Sequence, residues 1–507
     1  MSSRIKNSAT NIVFSLVLQM ITAIGGLVIP RIIIPTYGSE ANGLVSSINQ
    51  FLSYIALLEA GIGGVINAAL YKPLSEKNMA KVSQIIKAAK LFYRKIGYIF
   101  ILYILILCVL FPLFASKTFD AFYIVFMVII LSISTFLQYF FSLPYISLIT
   151  SDQHVRVTYA INSITVLLNI ICTFVLVQLG LGLHIVKLFA AAVFSLKPIF
   201  YYLYVKKHYK LDRKCSPDNK AIKQRWNGML HHISFFIHTN TDIAVLTIFT
   251  DLKIVSVYAV YQSIVVGIRT VILSVSNGAA ASIGNLLVTE NKQKANDVID
   301  KLEFIQGGIT TILFTITAIL IIPFVKLFTV SMDDANYIRP LFAYILIMSE
   351  AMYCIRAIYS TVSMGANRYK ETQNGALLEC IANIVISVIL VQFVGLEGVA
   401  IGTFVAMFLR CVFEVWYLSK HLLYRKIVKF IKLIFVNGCV AFSSVMLSAL
   451  FSFIIKTWGA WIISAFVYSM LTGIIAIVIY YVFYKKEILW ILSLMKQMLK
   501  KVYKNAG

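Results

Sequence analysis

Ionisable side chains set among apolar residues are the first candidates for chemistry in this 507-residue chain. The basic set is Arg31, Lys187, Lys197, Arg269, Lys326, Arg339, Arg356 and Arg410, and the acidic set is Glu59, Asp242, Glu350, Glu379 and Glu414. A charge in hydrocarbon costs several kcal/mol unless it faces water or a partner, so such residues mark ion or substrate paths. Arg31, Lys187, Lys326 and Arg339 lie near the ends of their apolar stretches, where a long side chain can reach the interface. Lys197, Arg269 and Arg410 lie near the middle of theirs. Lys197 and Arg410 are also 213 residues apart, the register that relates Lys207 to Lys420. A basic residue placed symmetrically in two repeats suits a central anion-binding cavity. An internal ion pair is the structural alternative, because Glu414 stands one turn from Arg410. The expected substrate-binding set is therefore Arg269, Lys197, Arg410, Arg31, Arg356 and Glu59.

A second constellation suits a proton or a cation. His238, Asn240, Thr241 and Asp242 interrupt one apolar stretch, and Glu379 and Asn383 share a helical face on another. A carboxylate on each of two helices, with amide oxygens nearby, can hold H+ or Na+, so Asp242, Glu379 and Asn383 form the expected ion-coupling set. Polar contact between helices is the alternative. Neither a phosphate-binding G-x-x-x-x-G-K-[ST] loop nor an H-E-x-x-H motif occurs. The seven cysteines lack metal-ligand spacing and lie mostly inside apolar stretches. The expectation is a non-enzyme with no catalytic residues, no metal and no cofactor beyond a coupling cation.

These residues must be positioned by membrane helices. With 60% hydrophobic and 13% charged residues and a mean hydropathy of +0.86, the polar residues cannot cover a soluble surface. Long unbroken apolar runs exclude a β-barrel. Spans are expected at 10–35, 43–71, 92–114, 122–149, 158–179, 183–205, 229–250, 255–287, 304–330, 337–365, 372–393, 399–423, 430–455 and 461–484, giving an all-α integral membrane protein of about fourteen transmembrane helices. The text also repeats: Asn383-Ile384 and Leu390-Val391-Gln392 echo Asn169-Ile170 and Leu176-Val177-Gln178 at an offset of 214, which also links Gly64 to Gly278 and Asp120 to Asp334. Two six-helix lobes related by a pseudo-twofold along the membrane normal are implied, followed by two extra C-terminal helices. The expected organisation is an N-terminal lobe at 1–206, a basic cytoplasmic linker at 207–228, a C-terminal lobe at 229–423, helices 13 and 14 at 424–484, and a basic amphipathic tail at 485–507.

About 34 of the 45 basic residues fall in loops on one side of this arrangement, which fixes both termini in the cytoplasm. The net charge of +24 is thus topological, and no nucleic-acid partner is expected. Pro30, Pro112, Pro144, Pro198 and Pro323, with Gly61, Gly63 and Gly64, are expected to bend or break the helices that hold them.

Glu59-Ala60-Gly61, Gly365-Ala366-Asn367 and the run Asn383-Ile384, Gln392, Gly395-Leu396-Glu397-Gly398, Gly402-Thr403 resemble the polysaccharide transporters of the multidrug/oligosaccharidyl-lipid/polysaccharide exporter superfamily. The resemblance spans essentially the whole chain. It implies two six-helix lobes around a central cavity, alternating access, and flipping of an undecaprenyl-pyrophosphate-linked oligosaccharide across a bacterial cytoplasmic membrane. Its partners would be that lipid-linked substrate, the phospholipid bilayer and other polysaccharide assembly enzymes. Members of the family often carry Asp-x-Gly in helix two followed by an arginine; here the acid is Glu59 and the later positions are Asn67 and Tyr71. The alternatives are an ion-coupled multidrug exporter of the same superfamily, a lipid II flippase, and a membrane glycosyltransferase or polymerase. The last would need a catalytic carboxylate and usually a sizeable outer loop, and neither is evident.

Overall fold

The structure, a computed structural model, describes residues 2–493 and 496 apart from 60, 116–117, 213, 223–228, 290–291 and 451–452. Among the described residues it is helical, with no strand. The helices are α1 (Ser2–Tyr37), α2 (Ser39–Ser53), α3 (Ala56–Glu59), α4 (Ile62–Ser75), α5 (Met79–Ala115), α6 (Ala121–Leu137), α7 (Leu143–Ser151), α8 (Val155–Gln178), α9 (Leu183–His208), α10 (Met229–Phe249), α11 (Leu252–Thr289), α12 (Lys292–Phe328), α13 (Pro340–Gly365), α14 (Tyr369–Val394), α15 (Leu396–His421), α16 (Val428–Leu450) and α17 (Trp458–Phe483).

The chain is a multi-pass membrane protein. Among the described residues twelve helices are long and apolar enough to cross a bilayer, and Ser39–Glu59 with Ile62–Ser75, bent by 48°, reach that length and apolarity only as a pair, a thirteenth if the two form one span. The fourteenth apolar stretch of the sequence is α10, whose 21 residues rise about 30 Å but whose histidine, threonine, asparagine and aspartate side chains lower its hydropathy. Each expected span overlaps a helix, the second being divided among α2, α3 and α4.

The sequence repeat reappears in helix lengths. Helices α5 and α12 have 37 residues each and α9 and α15 have 26 each, with starts 213 positions apart in both pairs. Left-handed residues Gln153 (φ 61°) and Asn367 (φ 56°) close α7 and α13 at an offset of 214.

Two compact units are built from these helices. The first comprises 1–267 with 331–336 and 387–399; the second comprises 268–330, 337–386 and 400–507. In the first unit, the buried side chains of α2, α4, α5, α6 and α7 make one core, including Leu44, Ile48, Ile66, Val82, Tyr93, Phe100 and Leu148. Helix α2 lies close to the start of α11: a Cβ on Gly43 would stand 1.8 Å from the carbonyl oxygen of Leu252, so only glycine permits this approach. A polar seam runs along the same face of α2. Asn42 donates to Ser256 Oγ (2.9 Å), Ser47 and Thr247 share a hydroxyl hydrogen bond (2.7 Å), and Gln50 donates to Asn240 Oδ1 (2.7 Å).

Two irregular backbone segments interrupt this unit. The expected break in the second span occurs between Tyr54 and Gly61, where Gly61 takes φ 83°, while Gly63 and Gly64 remain inside α4. Between α6 and α7, residues Gln138–Ser142 form a π-helical turn. Pro144 follows; its ring would collide with the carbonyl of residue 140 in a regular helix, and the widened turn relieves that clash.

In the second unit α16 and α17 pack on α12. Helix α17 buries Ser464, Tyr468, Thr472, Ala476 and Tyr480 at every fourth position and leaves Ile463, Phe466, Met470, Ile474 and Val478 exposed. Small and polar residues thus face protein, and large apolar ones face outward, as lipid demands. Tyr480 donates to Asn437 of α16 at 2.8 Å. The start of the basic tail, 485–493, is helical, with Ile488 and Ile491 against Phe304, Leu433 and Tyr480; apart from Lys496, the rest of the tail lies outside the described residues.

Candidate functional site

The second unit brings three arginines and three glutamates of the intramembrane set into one buried array. Arg269 of α11 reaches Glu350 of α13 with Nη1 at 3.0 and 3.1 Å from the two carboxylate oxygens. One helical turn along α13, Tyr353 lies between Arg269 and Arg356, with the two guanidinium carbons 5.2 and 5.1 Å from its ring centre. Arg356 Nη1 then meets Glu414 Oε1 of α15 at 3.3 Å and Ser360 Oγ at 2.8 Å. Ser360 donates its own hydroxyl to Glu414 Oε2 at 2.8 Å. Arg410 closes the chain, with Nη2 at 2.8 Å from Glu414 and Nε at 3.6 Å from Glu379 of α14.

Helix register explains how these partners meet. Glu350, Tyr353, Arg356 and Ser360 recur every three or four positions on one face of α13, and Arg410 and Glu414 are one turn apart on α15. Gly375 lets α14 approach α15, since a Cβ there would lie 2.2 Å from Phe413 and 2.9 Å from Arg410 Nη1. That approach lets Arg410 donate to the carbonyl of Thr372 at 2.9 Å. Asn383, one turn beyond Glu379, donates to Thr403 of α15 at 3.0 Å.

The array is neutral when all six groups are charged. Its charges offset one another, which is how such groups persist in a low-dielectric interior. Among the described residues, the Nε–H groups of Arg356 and Arg410 nevertheless carry no hydrogen bond. Two buried donors therefore exceed what the array's own oxygens satisfy.

The remaining expected site residues lie in the first unit. Lys197 of α9 lines a cavity of about 280 Å³ with Gln138, Ser142, Asn162 and Tyr201. Its ammonium sits 4.7 Å from the Phe194 ring centre and forms no ion pair among the described residues. Glu59 accepts hydrogen bonds from Tyr93 (3.3 Å) and Tyr139 (3.1 Å). The helix break before Gly61 and the π turn that carries Tyr139 therefore converge on one carboxylate. Asp242 is buried and accepts from Tyr258 at 2.8 Å; Asp242 and Glu379 belong to different units. Arg31 donates to Ser331 Oγ at 2.9 Å. The side chain of His238 lies outside the described residues.

The pairing of Arg410 with Glu414 was visible as a one-turn spacing, but Glu414 is shared with Arg356, which spacing could not reveal. The sequence marks Glu350 as an intramembrane acid but not its partner, and Tyr353, Ser360 and Gly375 carry no sequence signal of their own.

No protein-family model matches the chain, and no curated protein matches it either. Its fold does match solved structures. The lipid II flippase MurJ in an inward closed conformation superposes with a TM-score of 0.71 at 15% identity, over 94% of this chain and 100% of that one. An inward-facing multidrug resistance MATE family transporter of the MOP superfamily gives 0.62 at 15% identity, over 80% of this chain and 98% of that one. The MATE multidrug transporter DinF-BH gives 0.58 at 16% identity, over 82% of this chain and 95% of that one. The chain thus has the MurJ/MATE fold, the architecture that the sequence resemblance implied.

Proposed function

We propose that this protein is a flippase of the bacterial cytoplasmic membrane that moves an undecaprenyl-pyrophosphate-linked oligosaccharide from the inner to the outer leaflet by alternating access. The observation that carries this reading is the buried array of Arg269, Arg356 and Arg410 with Glu350, Glu379 and Glu414. A pyrophosphate needs arginines inside the membrane, because guanidinium and phosphate form paired charge-assisted hydrogen bonds. Two Nε–H groups of the array carry no hydrogen bond among the described residues, that of Arg410 standing 3.6 Å from Glu379. Proton binding to one of its carboxylates gives the array a net positive charge, so proton uptake and anion binding favour each other. Glu379, with Asn383 beside it, is the coupling residue on this reading, and Asp242 is a second site for H+ or Na+ in the first unit. Lys197, Arg31 and Glu59 line the path of the sugar-phosphate headgroup.

Carriage of lipid II is the second reading, favoured by the likeness to MurJ over 94% of the chain. The fourteen apolar segments accord with either lipid-linked substrate, whereas the MATE structures match 80–82% of the chain. Reconstituted protein separates the readings when offered a fluorescent polyprenyl-pyrophosphate oligosaccharide, lipid II, or a cationic dye under an imposed ion gradient. The oligosaccharide should be translocated, Arg269→Lys should slow it, and Arg269→Ala should slow it further, by about 100-fold for a lost bidentate phosphate contact. Asp242→Asn and Glu379→Gln should each lose ion dependence. Transport of the dye alone, or full oligosaccharide transport in Arg269→Ala, would sink the proposal.

A further inference from the structure

The first unit contains a larger cavity, of about 790 Å³, between α5, the π turn and α9. Its volume lies within the range of roughly 300–1,000 Å³ usual for small-molecule sites. One end is basic. Lys87, Lys90 and Arg94 line it from α5 and follow the i, i+3, i+7 spacing of a single helix face. The other end is apolar and aromatic, with Phe140, Phe141 and Ile199.

The depth of these groups follows from α5 itself. Residues 96–115 are apolar and rise about 30 Å, the thickness of the hydrocarbon core. Arg94 therefore stands at the core boundary, and Lys90 and Lys87 lie one and two turns farther into the headgroup layer. The mouth of the cavity faces lipid, since Leu91, Phe141 and Ile199 are 42%, 47% and 52% exposed on membrane-spanning helices. Phe140 forms the floor because Gly97 leaves room for it; a Cβ there would lie 2.2 Å from the ring. Lys90 donates to Tyr145 Oη at 2.8 Å, and neither Lys90 nor Arg94 forms an ion pair among the described residues. Lys87 donates to the carbonyl of Cys215 at 2.5 Å. Asp212 is an acid on the wall, turned to the backbone N–H of Lys214 at 2.8 Å.

We infer that this cavity binds an anionic glycerophospholipid of the surrounding leaflet, its phosphate held by Lys87, Lys90 and Arg94 and one acyl chain laid against Phe140, Phe141 and Ile199. Basic residues at headgroup depth beside an apolar trough that opens to the bilayer match that one molecule in both charge and shape. The site is separate from the arginine–glutamate array and does not depend on which substrate is carried.

Native mass spectrometry of the full-length protein, released from detergent with phosphatidylglycerol, phosphatidylethanolamine or phosphatidylcholine, tests the assignment. Wild-type protein should retain phosphatidylglycerol preferentially. The combined Lys87→Gln, Lys90→Gln, Arg94→Gln variant should hold it about 100-fold more weakly, and Lys87→Arg with Lys90→Arg should hold it normally. Ile199→Trp, which fills the trough while keeping every charge, should also release it. Should the triple variant fail to fold, Arg94→Gln alone should weaken retention severalfold, because Arg94 is exposed and its loss breaks no ion pair. Equal retention of the three lipids, or unchanged phosphatidylglycerol retention in the glutamine and tryptophan variants, overturns the inference. So does displacement of phosphatidylglycerol by an equal amount of a polyprenyl pyrophosphate, which would assign the cavity to the carried substrate, or displacement by a soluble protein.

Discussion

Arg269 and Glu350 form the simplest pair in the second unit, and their energetics can be read separately from their function. Removing one member of a buried ion pair leaves the other charge uncompensated and costs about 3–5 kcal/mol, whereas replacing both with apolar groups of similar volume is often neutral. Arg269→Met should therefore lower the melting temperature of the purified protein markedly, and Arg269→Met with Glu350→Met should restore most of it. If the restored double variant also transports normally, the pair is structural; continued failure to transport is the outcome expected of an anion site. The analogous test at Arg410 and Glu414 is less clean, because Glu414 also holds Arg356 at 3.3 Å. At the edge of the first unit, Asp218 is held below the usual carboxylate range, first by the hydrogen-bonded ammonium of Lys81 at 2.7 Å and then by the backbone N–H groups of Ala221 and Lys220. Because folding lowers this pKa, the contact adds stability above the unfolded value of about 4 and loses it as pH falls through the folded value. A nitroxide at Asn219 should thus become mobile only below about pH 4, and in Asp218→Asn it should be mobile across the whole range.

At the scale of the helix, the legible features were those written into consecutive residues. Apolar run length located the helices that are long and apolar enough to cross a bilayer, and the constant offset is matched by helices of equal length, such as Met79–Ala115 and Lys292–Phe328. Prolines and glycines marked irregular backbone only in part: Gly61 sits at the 48° bend, yet Gly63 and Gly64 do not interrupt α4. Partners across helices were not legible. Arg269 and Glu350 are 81 positions apart, and nothing local encodes the rotation and axial offset that make two helices present these residues to each other. Close approaches were hidden for the same reason, because a glycine inside a helix looks like any other until its neighbour is known. Gly43 is the sharpest case. Gly43→Ala would push the start of α11 away from α2 and disturb the hydrogen bonds from Asn42 to Ser256 and from Ser47 to Thr247. Overpacking of this kind costs about 1–3 kcal/mol where neighbours can yield; backbone cannot yield as a side chain does, so the loss should reach or exceed that range in thermal denaturation. An unchanged melting temperature would mean that the two helices separate at no cost.

For the whole molecule, the distribution of basic loops makes a prediction that requires no knowledge of substrate. We propose from the loop charges that both termini are cytoplasmic; cysteine at the exposed positions Asp251 or Lys456 should then react with an impermeant thiol reagent added to intact cells. Cysteine at the exposed positions Asn78 or Asn219 should react only after permeabilisation. Labelling of Asn219 from outside would invert the assignment. The same duplicated plan bears on how the chain can change over time. Asn42 and Ser256 are 214 residues apart and hydrogen-bonded to each other, so one position of the repeat meets its own counterpart. In a dimeric ancestor with identical halves, that residue would have faced a copy of itself, and any mutation would have struck both sides of the contact at once. Two halves written in one chain carry no such constraint, so an asparagine on one side can meet a serine on the other. Each side remains the other's nearest selective environment, so in related chains these two positions should drift together, while repeat-related positions away from this contact diverge independently.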